Sequence, residues 1–317
     1  MNRTRKKSKA YAFTAAALIT AAVLLGACIF ASCKNASGGN AGPSVGGTED
    51  TNEPFARDVA VLTLSPGHLS IAVMAKTADN SDVTVEGGNR AKLSNGTFTG
   101  LTAKGTTVTL KGKIIELTCA NEQLTAIEVR GLTDLQRLDC SGNRLTALNI
   151  QGLNALKGLS CYKNRLTSLD VHGLTALKIL QCNDNQLTAL NVQGATALNT
   201  LNCYNNRLTS LDVHGLTALQ YLSCNNNELA AINIRGATAL KALVCYHNKL
   251  GQDAFISLLT DLPKTYGDLG LYTDLDGEGN CKDFSAPPQL AEAFMKAKFE
   301  KNWVLYKQNK NKNYTDL

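Results

Sequence analysis

Cysteine is the residue whose type and spacing first suggest chemistry in this chain of 317 residues. Seven cysteines recur at one strict interval, with no insertion between copies: Cys119, Cys140, Cys161, Cys182, Cys203, Cys224 and Cys245. A zinc site needs Cys-x₂-Cys pairs, or cysteine and histidine side chains that converge in a tetrahedron. Thiols in single file along one sheet do not converge, so the spacing predicts no metal site.

Disulfide bonds between neighbouring copies are the alternative for these cysteines. An exported protein meets oxidising conditions, and adjacent strands would bring the Cα atoms within bridging distance. Parallel thiols that point into a core instead pack as small apolar groups. We therefore predict a structural column of buried free thiols, while the sequence assigns no partner to Cys281.

The histidines do not form a catalytic arrangement with any nucleophile. The chain has four: His68, His172, His214 and His247. His172 and His214 fill the same L-D-V-H-G slot two copies apart, and no serine, cysteine or carboxylate is fixed relative to them as nucleophilic catalysis requires. We predict no catalytic residue, no cofactor and no enzyme activity.

One short segment resembles the start of a calcium-binding loop. Residues 274–280 read DLDGEGN, with oxygen-bearing side chains at alternate positions. The twelfth position would be Ser285, where a calcium loop requires glutamate. A solvated hairpin turn is therefore the prediction, and calcium is the alternative.

The elements that position these side chains come from one repeat, L-x-x-L-x-C-x-x-N-x-L-x-x-L-x-V-x-G-L-x-A. A fixed period of this length is the signature of a solenoid. Leu138 and Cys140 are spaced as on a strand with one buried face, and stacked copies would pair in parallel about 4.8 Å apart. Gly152 would allow the tight return into the next copy.

An asparagine follows each cysteine at the third position from the second copy onward. The column is Asn143, Asn164, Asn185, Asn206, Asn227 and Asn248. The first copy has Glu122 in this slot. An amide can bond to backbone groups that a turn leaves unpaired. We predict a structural ladder of asparagines that satisfies itself from coil to coil.

This repeat resembles the leucine-rich repeat family, in the short bacterial class that has the same period, over about residues 110–250. Cysteine replaces the usual leucine or isoleucine at the second strand position, as in surface proteins of spirochaetes and Bacteroides-type bacteria. The resemblance implies a mainly β solenoid of seven coils. Each coil would supply one parallel strand, and little helix would fit on the outer wall.

The N-terminus has the pattern of an export signal. A basic segment containing Arg3, Arg5, Lys6, Lys7 and Lys9 precedes an apolar run over residues 11–32. Small residues come directly before two cysteines, which resembles a bacterial lipobox. The pattern predicts lipidation at Cys28, with Cys33 as the alternative, and an uncleaved membrane helix is also consistent with the run length.

Removal of this segment changes the charge of the protein. The formal net charge of +6 includes five cations in the signal and no acid, so the mature chain carries about +1. A nucleic-acid binder would be expected to keep a basic stripe. The composition therefore predicts no nucleic-acid partner.

The sequence divides into six segments. We predict a lipoprotein signal region over 1–33, a flexible glycine-rich linker over 34–54, a β-rich N-terminal cap of four strands over 55–113 and repeats over 114–250. A C-terminal α/β cap follows over 251–310, and a frayed tail ends the chain over 311–317. Solenoids need such caps because an end coil otherwise exposes an apolar face. In the C-terminal cap we expect helices over 253–262 and 288–302 and strands over 269–272 and 303–306.

The side chains beside each cysteine are expected to face outward on the strand sheet and to form a ligand-binding face. This face would comprise Tyr162, Tyr204, Tyr221, Tyr246, Gln181, Asn183, Asn202 and Asn225. Spaced tyrosines among amides resemble binding surfaces, because tyrosine gives contact area at low entropic cost. Alternatively, tyrosine merely suits an exposed strand and alternates through duplication of a two-coil unit.

The sequence therefore predicts a monomeric, lipid-anchored protein of the bacterial cell envelope, on the outer membrane surface. Its ligand would be a protein or polysaccharide of unknown identity, bound in adhesion to host or neighbouring cells. The alternative is a scaffold protein that faces the periplasm and has no external ligand.

Overall fold

The computed structural model describes residues 57–273, 279–308 and 314–317. The predicted signal region, both candidate lipidation cysteines, the linker and most of the calcium-like segment lie outside these ranges. Neither helix in the described part of the chain is long and apolar enough to cross a bilayer.

Six strands form the N-terminal cap, two more than the sequence indicates. They are β1 (Val59–Thr63), β2 (Ser70–Thr77), β3 (Val83–Glu86), β4 (Lys92–Leu93), β5 (Thr99–Thr102) and β6 (Thr107–Lys111). Alternation between buried and less buried side chains is clear in β1 and β3, so each strand has one core face. The cap strands pair antiparallel with one another.

Twelve short strands form the repeat region. They are β7 (Ile114–Thr118), β8 (Ala126–Glu128), β9 (Arg137–Asp139), β10 (Gly158–Ser160), β11 (Ser168–Asp170), β12 (Ile179–Gln181), β13 (Ala189–Asn191), β14 (Thr200–Asn202), β15 (Ser210–Asp212), β16 (Tyr221–Ser223), β17 (Ala231–Asn233) and β18 (Ala242–Val244). One strand per coil, namely β7, β9, β10, β12, β14, β16 and β18, enters a parallel sheet in which each strand pairs with the same positions of the next repeat. The opposite wall has two parallel pairs, β11–β13 and β15–β17.

The predicted fold class is confirmed: the protein is a mainly β solenoid of the leucine-rich repeat type, and one sequence repeat forms one coil. The described coils contain no helix on the outer wall. Apart from the partly buried Leu190, the leucines of the coils and the seven column cysteines are buried in one continuous core. The return glycines adopt positive φ, as Gly152 does at +85°, which explains why glycine occupies that slot.

Both caps continue the walls of the solenoid. Strand β2 pairs antiparallel with β7 at one end of the parallel sheet, while β1 pairs antiparallel with β8 on the other wall. At the far end the parallel sheet continues into β19 (Gly267–Thr273) and β20 (Trp303–Gln308). The apolar faces of the first and last coils are thereby covered.

Two helices lie in the C-terminal cap, where the first packs against β17 and the second packs against the first and against β20. Helix α1 (Gln252–Asp261) and helix α2 (Pro288–Phe299) lie close to the predicted bounds. Phe255 is fully buried, whereas Phe299, the last residue of α2, is 65% exposed. The prediction that the tail is frayed is wrong for its last residues, because β21 (Tyr314–Asp316) pairs antiparallel with β20.

Candidate ligand-binding face

Three rows of side chains occupy the outer side of the parallel sheet over five consecutive coils. The first two rows are the outward residues of the strands: Gly158, Ile179, Thr200, Tyr221 and Ala242, then Ser160, Gln181, Asn202, Ser223 and Val244. The third row follows the cysteines: Tyr162, Asn183, Tyr204, Asn225 and Tyr246. Backbone hydrogen bonds hold the third row in register, for example from the Asp184 amide to the Tyr204 carbonyl at 3.1 Å. We call these fifteen positions the strand face.

The structure corrects the expectation that the amides of this face are exposed. Gln181, Asn183, Asn202 and Asn225 are between 2% and 6% exposed. Neighbouring strands lie about 4.8 Å apart, so side chains of adjacent coils cover one another. The four tyrosines are half-buried. A ligand would therefore meet tyrosine first, together with Ile179, which is 37% exposed.

Some buried polar groups of the strand face bond to one another, and others bond to the adjoining turns, as Nδ2 of Asn183 does to Asp184 at 2.6 Å. The Ser160 hydroxyl donates to Oε1 of Gln181 at 2.8 Å, and the Ser223 hydroxyl donates to Oδ1 of Asn225 at 2.9 Å. Asn202 stands in the middle row between them. Its amide nitrogen is buried and has no hydrogen-bond partner, and such a group is costly in a folded protein.

The strand face is electrically neutral. None of its fifteen positions carries a lysine, arginine, histidine, aspartate or glutamate. Burial raises the pKa of Tyr204, the nearby Asp184 and Tyr162 raise it further, and a hydrogen bond from Asn183 opposes this effect. The phenol is therefore uncharged at physiological pH.

A charged residue also adjoins this face, since Oδ2 of Asp184 accepts from Nδ2 of Asn183 at 2.6 Å, and further charges lie on the sheet beyond its two ends. On the N-terminal side, Glu116 lies 3.8 Å from Lys76 and 3.9 Å from Arg137. On the C-terminal side, burial and then the charge of Asp316 raise the pKa of Asp268 to about 6. One carboxylate oxygen of Asp268 is buried without a partner. The neutral surface thus has a charged boundary at each end.

The asparagine ladder joins neighbouring coils through their backbones. Nδ2 of Asn206 donates to the carbonyls of Cys182 and Cys203 at 3.1 and 3.0 Å, and its Oδ1 accepts from the Leu187 amide at 3.0 Å. The other ladder asparagines repeat this pattern. Each amide bonds to backbone groups of neighbouring coils and not to the next amide, which differs from a column that satisfies itself.

The two ends of the ladder differ from its middle. At the C-terminal end, Asn280 occupies the next place of the ladder. Its side chain accepts from the Leu250 amide at 3.0 Å and donates to the Cys245 carbonyl at 2.8 Å. Sequence reasoning missed this role, because Asn280 lies outside the repeat. At the N-terminal end, Glu122 is 8% exposed and lies 3.8 Å from His68.

The column cysteines are buried and unbridged. Burial raises the pKa of each thiol, to about 12 for Cys161 and Cys203. Several thiols also donate weakly to the next coil, as Cys182 does to the Asn202 carbonyl at 3.5 Å. These properties suit packing rather than nucleophilic chemistry. In the described ranges, no three histidine, cysteine or acidic side chains could share a metal ion.

A second row of backbone-binding side chains on the opposite wall was not predicted. Asn149, Asp170, Asn191, Asp212 and Asn233 each accept from the amide two residues later. His172 and His214 are exposed beside this row. The L-D/N-x-x-G spacing of the repeat is the signal that could have identified these turns.

No family model matches the chain, and no curated protein sequence matches it. Among solved structures, it resembles the functional domain of InlJ from Listeria monocytogenes, which includes a cysteine ladder, with 23% identity over 53% of this chain and 52% of that one, at a TM-score of 0.35. It also resembles the leucine-rich effector YopM from Yersinia pestis, with 24% identity over 52% and 43% and a TM-score of 0.40. The internalin InlF from Listeria monocytogenes matches with 17% identity over 55% and 87% and a TM-score of 0.18. The chain spans about half the length of the first two, and this likeness assigns none of their activities to it.

Proposed function

We propose that this protein binds a protein or polysaccharide ligand through the strand face and serves in adhesion to host or neighbouring cells. The observation that carries this proposal is the strand face itself. Four half-buried tyrosines stand on five rigid, hydrogen-bonded coils, with no charged residue among fifteen positions.

Tyrosine suits recognition because its ring provides contact area with few rotatable bonds. The backbone beneath is fixed by parallel pairing and by the asparagine ladder, so binding would order little besides side chains. The regular coils offer no cleft with converging acids and bases, which catalysis would need. Binding is therefore the activity that this geometry supports best.

A cavity between α1 and α2 has charged groups in its lining, and these groups are already engaged. The cavity has a volume of about 370 Å³ and is lined in part by Glu292, Lys296 and Lys301. Glu292 and Lys296 pair at 2.6 Å, and Nζ of Lys301 donates to the carbonyls of Leu259 and Leu262 at 3.1 and 2.9 Å. This arrangement supports a structural role for the cap.

A triple substitution of Tyr162, Tyr204 and Tyr246 by alanine tests the binding face. Purified protein would be labelled and its binding to bacterial and animal cells measured. Loss of most binding with an unchanged unfolding midpoint is the expected result. The matched control replaces Thr146, Thr167 and Thr209, which are exposed elsewhere on the coils. Retained binding by the tyrosine variant would direct attention to another surface.

Placement at the outer membrane surface, with a lipid on Cys28 or Cys33, is part of the same proposal. Its rival is a periplasmic scaffold. Protease treatment of intact cells separates the two, since residues 34–54 would be the vulnerable tether. Release of a folded fragment beginning near residue 55 would support surface display. Protection until the outer membrane is opened would support the scaffold.

A further inference from the structure

We propose that the ligand of the strand face is an uncharged polysaccharide, whose chain lies across the coils over the tyrosines. This inference rests on the proposed function and narrows its ligand class. Three observations carry it: the neutrality of the face, the spacing of its tyrosines and the unsatisfied amide of Asn202.

Neutrality argues against charged polymers. Nucleic acids and acidic polysaccharides are bound through lysine and arginine that neutralise their anionic groups. Basic ligands need carboxylates, and like charges or unpaired charges in a contact are unfavourable. The fifteen positions of the strand face carry neither sign, and the carboxylate beside them, Asp184, already accepts from the side-chain amides of Asn183 and Asn205 at 2.6 and 2.7 Å. A polymer without charge therefore matches the composition of the face.

The tyrosines are spaced for a repeating ligand. Tyr162, Tyr204 and Tyr246 recur every second coil, about 10 Å apart, and span roughly 20 Å in all. A linear polysaccharide repeats its ring faces on a comparable scale and carries C–H groups that an aromatic face attracts. Tyr221 stands in the first row one coil from Tyr204. An open row without an enclosed pocket suits a chain of several sugars rather than a single one.

The polar groups between the tyrosines are hydroxyls and amides, which are partners for sugar hydroxyls. Ser160, Gln181, Ser223 and Asn225 already form pairs. The Asn202 amide nitrogen has no partner, and the residue is 2% exposed. A ligand oxygen could accept from it once a neighbouring tyrosine ring turns, since rotamers of partly exposed side chains exchange rapidly. The ligand would thus supply the missing hydrogen-bond acceptor for Nδ2 of Asn202.

The test uses the full chain and cells that bind it, treated either with periodate, which cleaves sugars at vicinal hydroxyls, or with a broad-specificity protease. The expected result is loss of binding after periodate and retention after protease. Binding should change less than about twofold between roughly 50 mM and 500 mM salt, because neutral contacts are not screened. Loss after protease alone, or a steep fall with salt, would overturn the inference.

Variants keep this test distinct from that of the proposed function. Asn202→Leu should weaken cell binding roughly tenfold, as expected for one hydrogen bond, while Asn154→Leu, an exposed control, should not change it. If binding needs the tyrosines but resists periodate and ignores Asn202→Leu, the binding face stands and the polysaccharide does not. If the triple tyrosine variant binds normally, both proposals fail.

Discussion

Two groups of buried asparagines occupy the same coils and have opposite surroundings. In the ladder, Asn206 and Asn227 each bond to backbone groups of neighbouring coils. On the strand face, Asn202 is even more deeply buried, yet its amide nitrogen has no partner. The difference separates a side chain that the fold needs from one that the fold merely tolerates. Buried polar groups without partners are rare enough to call for an explanation, and a ligand is one.

The largest effect is expected from a break in the ladder. Asn185→Ala should lower the free energy of unfolding by roughly 3 kcal/mol, because three backbone groups lose their hydrogen-bond partner. Chemical denaturation measures the change. Asn154→Ala, which removes an exposed amide from the same region, should stay close to the wild type. Equal stability of both variants would mean that the ladder is not structural.

Asn280→Ala asks whether the ladder extends into the C-terminal cap. The loss of its bonds to the Leu250 amide and the Cys245 and Leu271 carbonyls should cost about 2 kcal/mol. The effect should be smaller than in the middle of the ladder, since fewer coils lie beyond it. Hydrogen exchange should show faster opening of β18 and β19 than of β10. An unchanged cap would place the end of the ladder at Asn248.

Glu122→Gln tests the other end of the ladder. Burial raises the pKa of this carboxyl to about 7, and a hydrogen bond from the Ala72 amide opposes the shift. The folded state then holds the proton more tightly than the unfolded state, so this group's contribution to stability is present below pH 4.5 and is lost as pH rises through about 7. Glutamine stays neutral, so the variant should be more stable than wild type by roughly 2 kcal/mol at about pH 8.

Thermal unfolding across pH checks this sign, and the two proteins should converge near pH 4.5, the ordinary pKa of the carboxyl. Glu86→Gln is the control, because that carboxylate is exposed and its ion pair with Lys111 at 2.6 Å lies on the surface, where such pairs contribute little. A gain in stability from Glu122→Gln at low pH only would contradict the account. His68 also faces Glu122, so His68→Ala should be combined with it to separate the two groups.

The smallest effect concerns the reactivity of the cysteines beneath the ladder. Their raised pKa values and burial predict no reaction with a thiol reagent in the native state. Cys281 is partly exposed and should react first among the described cysteines. Comparison with Cys281→Ser identifies its share of the signal. Rapid labelling of column cysteines before denaturant is added would mean that the coils open far more readily than their packing indicates.

The repeat made the coils predictable, because each slot faces the same backbone in every copy. Strand positions, buried leucines and cysteines and the return glycines all follow from that regularity. Residues outside the repeat could not be predicted in this way. Asn280 bonds like a ladder residue although it lies 35 residues after Cys245, and no local pattern could indicate this. The polar composition of the tail indicates fraying, but its last residues form β21, which pairs with β20.

On the strand face, the alternation of inward and outward side chains along a strand is not enough to predict burial. It correctly places Asn202 on the outer side of β14, but it does not predict that close neighbours bury the amide. Left-handed backbone at Lys163, Asp184 and Asn205 was likewise not predicted, because these residues share no type. The tyrosine row is visible in the sequence, whereas the unsatisfied group between the tyrosines emerges only from packing.

We infer that Asn202 serves ligand binding, whereas the ladder asparagines serve the fold. The most direct measurement is the unfolding free energy of Asn202→Leu beside that of Asn206→Leu, both without ligand. The two variants should behave in opposite ways: Asn202→Leu should be as stable as wild type or more so, and Asn206→Leu should be destabilised by about 3 kcal/mol. Comparable destabilisation by both would show that Asn202 serves the fold and would contradict the claim.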